Sequence, residues 1–105
     1  MNSHRIIDRI NEAEDRLIAK RLQRGPGPLR TARTNLRRWM AADGRKVRPS
    51  FVEWDTILTR LSRAEIAEFL NSDTLMARRL RQSSPFAGVL SDAERRRIRR
   101  RYEAP

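Results

Sequence analysis

The chain has no cysteine. That excludes a disulfide framework, a Cys-ligated zinc site and a thiol nucleophile. Histidine occurs once, as His4, and no second group stands near it at metal-ligand spacing. A metal centre or an imidazole base would therefore lack its partners. No apolar run approaches the ~20 residues that cross a bilayer, so a membrane is not an expected partner. The charged N-terminal stretch lacks the apolar core of a secretory signal, which leaves the cytoplasm as the expected compartment. A phosphate-cradling glycine loop is missing as well. Gly25-Pro26-Gly27-Pro28 has the composition of one but not the donors, because proline carries no N–H. The carboxylates Glu53, Asp55, Glu65 and Glu68 fall on helix surfaces or caps, with no paired acids to suggest catalysis. Neither an enzyme nor a cofactor is expected.

What the chain does have is positive charge. Among 105 residues, 24 are basic and 13 acidic, for a formal net charge of +11. Such a surplus points to an anionic partner, most simply nucleic acid. Arginine outnumbers lysine 22 to two. Its planar fork can grip phosphate or guanine with two bonds. A GC-rich genome also favours arginine codons, so the ratio decides less than the distribution does. Residues 1–49 carry 13 basic and five acidic groups, net +8. Residues 50–75 carry two basic and five acidic groups, net −3, and residues 76–105 nine basic and three acidic, net +6. A mildly acidic centre lies between two basic arms.

The apolar spacing predicts an all-α fold, a compact single-domain bundle of five or six short helices. No alternating β-branched run and no Asn-Gly or Asp-Gly hairpin signal is present. The expected organisation is a long first helix over about 3–24, a helical core over about 29–90 and a basic C-terminal helix over about 92–102. Ile6, Ile10, Ala13 and Leu17 recur at spacings of four, three and four, which makes a helix seam. That seam is where a second copy could pack as a homodimer. Glu12 and Arg16 are placed to pair on its exposed side. A second helix, from about Leu29 to Ala42, has the apolar stripe Leu29, Ala32, Leu36, Trp39 and Met40, with Arg30, Arg33 and Arg37 on another face. Gly44 stands where a left-handed helix cap is usual. Arg45-Lys46-Val47-Arg48-Pro49 follows as a basic loop.

Three serine-to-glutamate spacings read as capping boxes: Ser50 with Glu53, Ser62 with Glu65, and Ser91 with Glu94. They place helix starts near Phe51, Arg63 and Asp92. Asn71-Ser72-Asp73 reads as a short turn, with Asn71 tolerant of the left-handed region. A further helix spans about Thr74 to Gln82. Trp39 and Trp54 both sit on apolar stripes and read as core rather than as base-stacking platforms, and Phe86 reads as a core anchor.

Residues 61–82 combine a helix, a short turn and a second helix. Ile66, Ala67 and Leu70 fall where the first helix packs on a neighbour, and Leu80 where the second returns to the core. In this the segment resembles the helix-turn-helix DNA-binding domains. Ser72 stands where that turn normally buries an aliphatic residue, and Ala77 where Val or Ile is usual. The resemblance implies that Leu75 to Gln82 form a recognition helix, with Thr74, Arg78, Arg79, Arg81 and Gln82 facing a groove. The last helix adds six arginines in seven positions around Ile98. Arg95, Arg96, Arg99 and Arg100, with Arg30, Arg33 and Arg37, are the expected phosphate contacts. The expectation is a small nucleic-acid-binding protein, a DNA-binding regulator with DNA favoured over RNA. The rival expectation is a helical interaction module, such as an antitoxin, phage-type inhibitor or adaptor, whose basic arms cover an acidic protein partner.

Overall fold

The computed structural model describes residues 3–103, in which six helices and no strand occur. They are α1 (Ser3–Arg24), α2 (Gly27–Asp43), α3 (Pro49–Arg60), α4 (Arg63–Asn71), α5 (Leu75–Arg81) and α6 (Asp92–Glu103). No helix among the described residues is long and apolar enough to cross a membrane.

The 22 residues of α1 span about 33 Å at 1.5 Å per residue. This helix accounts for most of the 46 Å long axis, the other two extents being 30 and 26 Å. It is the spine of the molecule. Ile10, Ala13, Ile18, Ala19 and Leu22 are buried along it. Its broadest packing is against α4, with α6 and α2 on its flanks. The seam that could have held a second copy is therefore spent inside the chain. A homodimer through α1 would have to use what is left, of which Ile7, 52% exposed, is the large apolar residue.

Trp54 of α3 is the centre of the core, fully buried, with its indole Nε1–H donating to the Leu80 carbonyl at 3.0 Å. Phe69 and Phe86 meet it edge-on at ring-centroid distances of 5.7 and 6.0 Å. Edge-to-face pairs of this kind add ~0.5–1.5 kcal/mol to the burial itself. The irregular segment 83–91 is pinned by Asn35, whose Nδ2 donates to the carbonyls of Pro85 and Ala87 at 2.9 and 2.8 Å. Phe86 is thereby held in the core as an anchor, 2% exposed.

Two of the three capping boxes form. Ser62 and Glu65 exchange both bonds at the start of α4, and Ser91 and Glu94 do so at α6. The third does not. Helix α3 begins two residues early, at Pro49, and Arg48 is its cap without a side-chain bond. Proline at the first helical position costs no hydrogen bond and arrives with φ already helical. Ser50 thus falls inside the helix, and Glu53 is left for another partner. Proline also moves the start of α2 to Gly27, with Pro28 in its first turn. The turn after α4 is extended at Ser72 (φ −77°, ψ 156°), and no residue other than glycine has a positive φ among those described. Asn71 instead closes α4. Gly44 does have a positive φ, 68°, but with ψ −126°, a pairing outside the left-handed helical cap and open in practice to glycine alone.

Candidate nucleic-acid interface

Helix α5 was expected to carry the reading surface, and its polar residues are largely occupied. The Thr74 hydroxyl accepts from the Ala77 N–H at 3.1 Å and caps the helix. Arg78 pairs with Asp73 at 2.7 Å. Arg79 forms a two-bond fork with Glu53 of α3, at 2.7 and 2.9 Å. The fork holds the Glu53 carboxyl below its ordinary value, and Arg79 above its own. Gln82 follows the helix and is exposed.

Arg81 is turned inward, not toward a groove. It lies four residues after buried Ala77 and one after buried Leu80, so helix phase places it on the packed side. Its Nε donates to Asp15 at 2.8 Å, and its Nη2 to the carbonyls of Leu70 and Ser72 at 2.9 and 2.6 Å. It is a bolt joining α1, α4 and α5. The four-residue spacing from Ala77 was the signal that separates it from Arg78.

The α2 arginines divide. Arg33 donates to the Leu58 carbonyl in the last turn of α3, at 3.1 Å, where the helix dipole favours a cation. Arg30 and Arg37 are exposed and have no carboxylate within 4.0 Å among the described residues.

Helix α6 runs back along α1. Arg21 pairs with Glu94 near one end, and Arg16 reaches the Tyr102 hydroxyl, at 3.5 Å, near the other. Arg95 lies 3.8 Å from Glu14. Arg96, Arg99 and Arg100 are exposed without a carboxylate partner among the described residues. Between the two helices is a groove of about 330 Å³, lined by Arg16, Lys20, Arg97 and Arg101 over the apolar floor of Ala13, Leu17 and Ile98. All four cations are exposed, and none pairs with an acid among the described residues. Glu94 also lines the groove, but it is held by Arg21 and by the Ser91 N–H. Arg16 does not form the expected pair with Glu12.

The sequence expectation did not include these four groove residues as a site. The signal for them was two i, i+4 cation pairs, Arg16/Lys20 and Arg97/Arg101, each beside an apolar residue of its own helix. The acidic centre of the chain explains the division. Glu53 and Asp73 lie beside α5 and neutralise its outer arginines, whereas Glu94, the acid that lines the α1/α6 groove, is engaged by Arg21.

Comparison with family models, with curated proteins and with solved structures yields no match for this chain.

Proposed function

We propose that this protein binds nucleic acid by gripping phosphates, with the α1/α6 groove as the centre of the contact. The observation that carries this reading is the convergence of Arg16, Lys20, Arg97 and Arg101, from two distant parts of the chain, on one groove without carboxylate partners. Like charges brought together cost free energy in the isolated protein, and an anionic backbone relieves that cost by releasing its counterions. The arrangement favours phosphate gripping over base reading by α5, whose outer arginines already have acids. Titration of a random-sequence duplex at several salt concentrations tests it. Log affinity should fall linearly with log salt, at ~0.9 per phosphate engaged. No binding to DNA or RNA at low salt would refute the proposal.

A second reading, an interaction module for an acidic protein surface, is favoured by one observation. Leu75 and Met76, adjacent on α5, are 84% and 44% exposed, and Arg78 and Arg79 follow them. An apolar pair rimmed by arginine suits a protein partner. Leu75→Ser leaves duplex binding intact under the first reading and abolishes partner binding under the second.

A further inference from the structure

We propose that the pocket between the end of α2, the start of α3 and the turn after α5 receives an unpaired base of single-stranded nucleic acid. This rests on the nucleic-acid reading above and adds a second, chemically different contact to it. The pocket holds about 360 Å³. That is near the small end of the roughly 300–1,000 Å³ of ligand sites and suits one flat ring system.

Its walls are aromatic and planar. Trp39 is only half-buried, unlike Trp54, and its ring lies 5.6 Å from Phe51 at 34°. The Arg48 guanidinium sits over the Phe51 ring, 5.0 Å from its centroid. Phe51 is buried beneath them, 5% exposed, so the indole and guanidinium planes are the ones open to a ligand, and both are surfaces on which unstacked bases lie. Trp39 was expected to be core, but its position near the C-terminal end of α2 leaves it partly uncovered.

The rim supplies edge recognition. The Gln82 amide and the Trp39 indole N–H have no hydrogen-bond partner among the described residues, and Ser83 contributes only a long 3.4 Å bond to Leu80. Asp43 is fixed in place, accepting from the Arg48 N–H at 3.0 Å and lying 3.4 Å from its Nε. Asp43 and Arg48 neutralise each other, so the pocket itself is not an anion site. Its border is, because the loop from α2 to α3 exposes Arg45 and Lys46, with no acid paired to either among the described residues. A neutral aromatic slot beside free cations matches a base flanked by its phosphates. In a duplex the bases are stacked and paired, and none is free to enter.

The test compares wild type, Trp39→Leu, Gln82→Ala and Arg97→Ala for binding a 12-nucleotide single strand of mixed sequence and the same sequence as a duplex, by fluorescence anisotropy at low salt. Gln82 is exposed, so its variant keeps the test valid if Trp39→Leu fails to fold by circular dichroism. The pocket variants should lose about tenfold or more for the single strand, the scale of one stacked base, and little for the duplex. Arg97→Ala should weaken both alike. Single-strand binding should also quench Trp39 fluorescence, since Trp54 is sealed in the core. Pocket variants that match wild type, or that weaken both forms equally, overturn the proposal while leaving phosphate binding standing. If wild type binds neither form, both fall.

Discussion

Arg81 and Asp15 form a salt bridge at 2.8 Å with side chains only 12% and 8% exposed. The same guanidinium satisfies two carbonyls at the end of α4. Removing Arg81 leaves a carboxylate and two carbonyls without a donor, and losses of this kind cost about 3–5 kcal/mol. Arg81→Ala should therefore lower stability sharply in urea denaturation, while exposed Arg78→Ala changes it by no more than about 1 kcal/mol. Equal effects would show that α5 is not bolted to α1 through Arg81.

Asp15 gives the bolt a pH dependence. Desolvation outweighs the hydrogen bond and charge of Arg81 and pushes its carboxyl from 3.8 to about 6. Between those values the folded chain holds a proton that the unfolded chain has released. Stability from this group is therefore lost as pH rises through the window, by on the order of 3 kcal/mol in full. Glu53 and Glu65 act in the opposite sense. Arg79 and the Ser62 N–H hold them low, so their contribution is lost only as pH falls below 4.5. The advantage of wild type over Asp15→Asn should shrink between about pH 4 and pH 6. An advantage that grows over that range would mean Arg81 keeps Asp15 ionised.

Capping separates the boxes that form from the one that does not. Ser62→Ala and Ser91→Ala each remove a hydroxyl that accepts a backbone N–H, at a cost of about 1 kcal/mol. Ser50→Ala, inside α3, should stay within about 0.5 kcal/mol of wild type. A loss at Ser50 equal to that at Ser62 would return the start of α3 to Phe51.

The helices were legible because their signals are local. The Ile6-to-Leu17 spacing, the Gly-Pro stop after Arg24 and the Ser62 and Ser91 boxes each act within a turn or two, and α1 ends at Arg24 as its sequence predicts. Ser50 misled because a local signal competed with a stronger local one, Pro49. The interface was harder to read because it depends on which acid each arginine meets. Glu53 with Arg79 is a separation of 26 residues, Asp15 with Arg81 of 66. Nor does any short spacing bring Arg16 opposite Arg97 or put Trp39 beside Gln82. Those are consequences of packing, and periodicity carries no information about them.

Trp54 tests the centre of that packing. Trp54→Ala should cost about 3–5 kcal/mol, as large aromatic truncations do. Trp54→Phe keeps a ring between Phe69 and Phe86 but drops the bond to Leu80, and should cost about 1–3 kcal/mol. Trp39→Phe, at the half-buried site, should cost under about 1.5 kcal/mol. If Trp39→Phe proves the more damaging, the core lies on the other side of α3.

The arginines divide into groups with different jobs, and one experiment distinguishes them. Arg97 and Arg101 face the α1/α6 groove without acids, so each alanine variant should lower the salt slope for duplex binding by about one, with little effect on stability. Arg79 is tied to Glu53 in an exposed fork. A phosphate could compete for it, but only by breaking two hydrogen bonds, so Arg79→Ala should change the slope by less than Arg97→Ala does. The comparison depends on geometry more than on charge, because every variant removes one cation from a chain of net charge +11. Were affinity to track net charge alone, Arg79→Ala and Arg97→Ala would behave identically. That result would mean a diffuse attraction between the whole protein and a polyanion, with no gripping surface on α1 and α6.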